Sequence, residues 1–181
     1  MPEQLITAIS SSLAGGIIAL AGVLLNNRSS TARLKAQFDH DDALRKAQVL
    51  RERGEELYVL IAKWLNTFAG HYLGVAAVMQ GKLTYNQCLD LDIETLSNKS
   101  LEFSRIELLV DIYYPSTRKA YDEVMAGRSN VNEIEIAHKR AYGRGDIEGQ
   151  RFLRSYVDAQ KAIEAAGRVF KEELTKAIRA I

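Results

Sequence analysis

Two hydrophobic patterns divide the chain. From Leu5 to Leu25 it reads LITAISSSLAGGIIALAGVLL, in which 17 of 21 residues are apolar or Gly and none is charged. As an α-helix this segment rises about 31 Å, the thickness of a bilayer's hydrocarbon core, so it is long enough to cross once. A secretory signal peptide is the rival reading, because Ala19-Leu20-Ala21 resembles a small-x-small cleavage site. Against it, Met1-Pro2-Glu3-Gln4 has no basic residue and the apolar run continues through Val23-Leu24-Leu25. A buried soluble helix is a third reading, disfavoured because no face carries charge. Residues 1–27 are therefore expected as a retained transmembrane helix.

Beyond Asn26 the pattern turns helical but mostly polar. Ser29-Ser30-Thr31 offers a helix start or a short break. Residues 28–56 then form a charged juxtamembrane helix in which Leu34, Phe38, Leu44 and Leu50 make only a thin apolar stripe, suited to solvent or to a neighbouring subunit. Leu57, Leu60, Ile61, Trp64, Leu65 and Phe68 recur at three and four, the spacing of a core-facing helix. The piece HYLGVAAVMQG continues it or forms a second short helix ending near Gln80-Gly81. Thr84 caps a short helix to Leu89, and a longer one is predicted over 97–113. Pro115 ends that helix and opens the next, which Gly127 is expected to stop. Further helices follow over 132–142 and, after the turn Gly143-Arg144-Gly145-Asp146, to the C-terminus. No stretch alternates like a strand. The fold class is all-α, with one N-terminal transmembrane helix followed by a cytoplasmic bundle of about five helices over 57–181.

The span itself has two faces. At 100° per residue, Gln4, Ala8, Ser11, Ser12, Gly15, Ala19, Gly22 and Asn26 fall within an arc of about 100°, and Ile6, Ile9, Leu13, Ile17, Leu20 and Leu24 lie opposite. Lipid gives no reason to segregate small residues, whereas helix–helix contact does, since small side chains let backbones approach and hydroxyls bond across the gap. The eight small or polar positions are the candidate oligomer or pore face, and a homo-oligomer in the lipid bilayer is expected. No Asp, Glu, Lys or Arg marks an ion path within the span.

Charge sharpens the orientation. The 181 residues carry 24 Lys+Arg against 23 Asp+Glu, a net charge of +1, and every charge but Glu3 follows residue 25. Arg28, Arg33, Lys35, Arg45 and Lys46 follow the span and no base precedes it, so the positive-inside rule places the N-terminus outside and the body in the cytoplasm. The near-neutral total is not that of a dedicated nucleic-acid binder, and nucleic acid is not expected as a direct ligand. Cys88, the single Cys, can form neither an intrachain disulfide nor a thiolate zinc site.

Catalytic patterns are sparse. The chain holds no Walker-type loop, nucleophile elbow or H-E-x-x-H. His40, His71 and His138 read as surface or packing residues, and Cys88 as a small buried apolar one. Asp90, Asp92 and Glu94 alternate as in a calcium loop but lack its Gly and terminal Glu, so they read as solvated charge at a helix start. Residues 84–114 hold six acids against Lys99 and Arg105, and residues 139–179 hold ten bases against six acids. The two patches solvate the bundle or meet between subunits. Arg33 and His40 match the Arg-x4–6-His spacing of HEPN ribonucleases, a short pattern that lies beside the span. No catalytic, cofactor-binding or metal residue is assigned, and no cofactor is expected.

The uncharged span without an external basic flank, the stretch R-x-R-x-E-E-L-Y from Arg51 to Tyr58, and I-Y-Y-P from Ile112 to Pro115 resemble small bacterial single-pass membrane proteins of phage-defence loci. The layout is similar to the membrane accessory protein of type VI-B CRISPR systems, a HEPN-like bundle below a ring-forming transmembrane helix. The resemblance implies an inner-membrane location, a pore-forming or membrane-perturbing role in antiphage defence, and a defence-system protein as partner. The alternatives are a helical scaffold tethered to the membrane that recruits a partner without making a pore, and a membrane-tethered HEPN-type ribonuclease.

Overall fold

A computed structural model describes the backbone of residues 2–96 and 103–181 and the side chains of 26–27, 30–93 and 103–181. Its described elements are all helical: α1 (Pro2–Met79), α2 (Tyr85–Leu96), α3 (Phe103–Tyr113), a 3-10 turn (Pro115–Thr117), α4 (Arg118–Gly143) and α5 (Gln150–Arg179). The chain divides into two compact units, residues 1–48 and 49–181, and α1 supplies residues to both. Ser29-Ser30-Thr31 does not interrupt α1: the Thr31 hydroxyl donates to the Asn27 carbonyl one turn back, 2.8 Å away, and so stays within the helix.

In the first unit the described side chains from Ser30 on are largely exposed, among them Leu34, Phe38 and Leu44. In the second unit α1 becomes a core helix. Leu57, Ile61 and Trp64, then Tyr72, Val75 and Met79, are buried at the three-and-four spacing. The first three join Ile106, Leu109 and Val110 of α3 and Phe170 and Leu174 of α5 in one hydrophobic cluster. The second three join Cys88 of α2, Val131 of α4 and Tyr156 and Ile163 of α5 in another. Leu65 and Phe68 pack against both clusters, so α1, α4 and α5 run through the whole core. α3 contributes to the first cluster and α2 to the second.

Local chemistry sets the boundaries. Gly81, at φ 71°, ends α1: its N–H reaches the Val78 carbonyl and the Lys82 N–H reaches Ala77, both at 2.9 Å, which is a Schellman cap. Thr84 and Gln87 then form a capping box, the Gln87 N–H donating to the Thr84 hydroxyl and the Thr84 N–H donating to the Gln87 side chain at 2.8 Å. Gly145, at φ 87°, ends α4 by the same Schellman device and turns the chain into α5.

Three expectations shift. Pro115 opens a 3-10 turn, and α4 begins only at Arg118. α4 then runs through Gly127 without stopping, and that Gly lets α5 pack close: a Cβ there would lie 2.9 Å from Ile163 Cγ1. The two helices expected over 115–126 and 132–142 are thus one. Residues 49–56 also pack with the second unit. The Tyr114 hydroxyl donates to the Leu50 carbonyl at 2.5 Å, and Arg105 of α3 grips Glu56 through two bonds of 2.6 and 2.9 Å. Arg105 and Arg53 hold the Glu56 carboxyl at about 2.

Gly149 is buried where a Cβ would lie 2.5 Å from both the Cα and the carbonyl oxygen of Met79. Backbone cannot swing aside, so Gly149→Ala is expected to cost about 2 kcal/mol and lower the melting temperature. Gly143→Ala, where a Cβ meets nothing within 4 Å, should keep or raise it. Thermal melts of the two variants beside the parent check both outcomes.

Candidate functional site

The side chains of Gln4, Ala8, Ser11, Ser12, Gly15, Ala19 and Gly22, and the span over 5–25 as a lipid-facing surface, lie outside the described residues. Asn26, the last member of that face, is exposed on α1. Among the described residues no helix is long and apolar enough to cross a membrane. Arg33 and His40 are both exposed on the α1 portion of the first unit.

The polar groups that the fold does assemble lie in the second unit, around His71. That residue follows the core stripe of α1 and is half-buried. Its Nδ1 lies 2.7 Å from Asp92 Oδ2 on α2, and its Nε2 lies 3.0 Å from Glu135 Oε2 on α4. An ionised carboxylate only accepts, so an imidazole serving two of them must donate from both nitrogens, which makes it the imidazolium. Glu135 and Asp92, opposing the cost of burial, raise its pKa to about 9.

The two carboxylates approach opposite edges of the ring. That geometry fixes a charge and joins three helices; it does not converge three ligands on one point. Among the described residues no group of three His, Cys, Asp or Glu could hold a metal ion. Nor is His71 free as a base at neutral pH, since both ring nitrogens carry protons, each donated to its own carboxylate.

Beside this partly exposed triad lies a buried aromatic cluster. His138 is fully buried, with Nδ1 2.8 Å from the Tyr85 hydroxyl, and burial lowers its pKa, keeping it neutral. Tyr85, Tyr142 and Phe152 surround its ring at centroid distances of 5.5, 6.1 and 5.3 Å. Burial raises Tyr72 to about 12 and pushes the Tyr85 and Tyr156 phenols up as well. Cys88 is buried as expected, its Sγ seated where a Cβ on Gly74 would come within 2.9 Å. Burial, with Asp92 and Glu135 nearby, raises its pKa and leaves a thiol in place of a reactive thiolate.

The chain matches no protein-family model, curated protein or solved structure. Its chemistry is therefore read from its own residues. The reading of Asp92 as solvated charge and of His71 as a surface or packing residue missed their pairing. The partners of His71 stand 21 and 64 residues away in sequence, and no local spacing links them. Only the folding back of α2 and α4 onto α1 brings them together.

The His71 triad makes a prediction with a definite sign. Its folded pKa, about 9, lies above the ordinary 6.5, so its contribution is full below pH 6.5 and is lost as pH rises to about 9. Urea titrations of the chain should show stability falling across that interval. In His71→Gln the fall should flatten; an unchanged slope would remove the triad as its source.

Proposed function

We propose that this chain is a single-pass membrane protein that assembles with copies of itself through the Gln4–Asn26 face and perturbs the bilayer it crosses. The observation that carries the reading is the continuity of α1. The uncharged residues 5–25 and the core residues Leu57 to Met79 belong to one helix, Pro2–Met79, with no turn between them. A helix satisfies its own backbone donors and acceptors, which is the condition a lipid-crossing segment has to meet. The same helix enters a folded core at its other end, so a bundle and a hydrophobic segment of bilayer length form one covalent element.

Self-association draws support from two features of different kinds. The segregation of Gly15, Ala19 and Gly22 from Ile17, Leu20 and Leu24 is a pattern that helix contact explains and lipid does not. In residues 30–48, Leu34, Phe38 and Leu44 are more than half exposed, apolar surface that a neighbouring copy would cover. Membrane perturbation, the inner-membrane location and a place in antiphage defence follow from the resemblance to CRISPR-associated membrane accessory proteins. The basic residues after the span support a bundle on the cytoplasmic side.

The reading is tested by dye entry into cells expressing the full chain. Gly15→Leu and Gly22→Leu, which put a bulky side chain on the small face without adding charge, are expected to abolish dye entry while the protein stays in the membrane fraction. Exchange of residues 5–25 for an unrelated apolar span should do the same. If the exchanged chain retained full activity, the span would be a mere tether and the bundle the active part.

A further inference from the structure

The seam between α1 and α5 in the second unit carries two adjoining grooves of unlike chemistry. The first, about 410 Å³, is lined by Tyr58 of α1 and by Arg168, Lys171, Lys176 and Arg179 of α5, with Glu172 as its one acid. Four cations against one carboxylate is a local excess that the chain's net charge of +1 does not foreshadow. Arg118, by contrast, is held by Asp111 and Asp122. Among the described residues none of these four cations forms an ion pair. A cluster of unpaired like charges repels itself and is relieved by a bound anion, and guanidinium and ammonium groups together suit phosphate oxygens.

The second groove, about 320 Å³, shares Lys171 with the first. Its walls are Leu65, Ala69, Leu73 and Ile163, and its polar lining is Asn66, Tyr72, Gln160 and one acid, Glu164, beside the shared Lys171. One polar atom here has no protein partner: the hydroxyl of Tyr72, a residue only 4% exposed. An unpartnered buried polar atom is costly, and it discriminates between ligands. An acyl chain laid along Leu65 and Ile163 would leave it unsatisfied. A flat heterocycle bearing acceptors at its edge would stack between the apolar walls and supply it with a partner. This combination of apolar walls and a few fixed polar groups is the usual make-up of a small-molecule site.

We propose that the α1–α5 seam binds a nucleoside polyphosphate, with its base between Leu65, Ala69 and Ile163 and its phosphates on Arg168, Lys171, Lys176 and Arg179. Lys171, common to both grooves, sits where base and phosphates join. Asn66 and Gln160 present amides to the base edge, and Tyr58 closes the phosphate end. The site uses residues of the second unit alone and does not rest on the membrane reading.

Calorimetric titration of the full chain in detergent micelles tests this, with ATP, GTP, CTP and UTP as probes beside inorganic tripolyphosphate. At least one nucleotide is expected to bind saturably and about tenfold or more tighter than tripolyphosphate, the margin of roughly one base contact. Arg179→Glu, at an exposed position, and Lys171→Glu should each weaken that binding about tenfold with the circular dichroism spectrum unchanged. Gln160→Leu should bring nucleotide affinity down toward that of tripolyphosphate. Nucleotides binding no tighter than tripolyphosphate would overturn the proposal, leaving a phosphate-attracting patch. So would the absence of nucleotide binding, or binding indifferent to Arg179→Glu.

Discussion

Burial of one stripe of α1, from Leu57 to Met79, is the constraint on which the rest of the second unit depends. Leu57, Ile61 and Trp64 give α3 and the end of α5 a surface to close on, and Tyr72, Val75 and Met79 do the same for α2 and the start of α5. Each fully buried large apolar side chain contributes about 2 kcal/mol, so this stripe dominates any single polar contact in the unit. Hydrophobic burial is not directional, however. It brings helices together without deciding how far one slides along another.

Close approaches and polar ties make that decision. Gly127 lets α4 meet α5 at Ile163, Gly149 lets the α5 start sit on the Met79 backbone, and Gly74 admits the Cys88 sulfur. At one end Arg105 reaches across to Glu56 and fixes α3 on α1; toward the other, His71 holds α2 and α4 through Asp92 and Glu135. These ion pairs are partly buried, where desolvation offsets much of the Coulomb gain. Their main contribution is to favour one register among several that would bury similar apolar area.

Periodicity made the helical class and the core stripe of α1 legible, because a 3.6-residue repeat is a local property of the chain. Thr84, Gly81 and Gly145 were legible as boundaries for the same reason: caps act within one turn. Gly127 was misleading, since a helix-breaking tendency is weak beside the packing that a missing Cβ permits against Ile163. The His71 triad and the α1–α5 grooves left no trace in local spacing. Both are made by residues from distant parts of the sequence, and only the fold sets them side by side.

A core-forming helix and an uncharged segment of bilayer length belong to one element, α1, and the segment is proposed to bring copies together. The mass of the full chain extracted in mild detergent, read by light scattering with the micelle subtracted, tests this most directly. Self-association through the Gln4–Asn26 face predicts a discrete multiple of the 20.2 kDa chain that persists on dilution. A single chain per micelle across the same concentrations would contradict it.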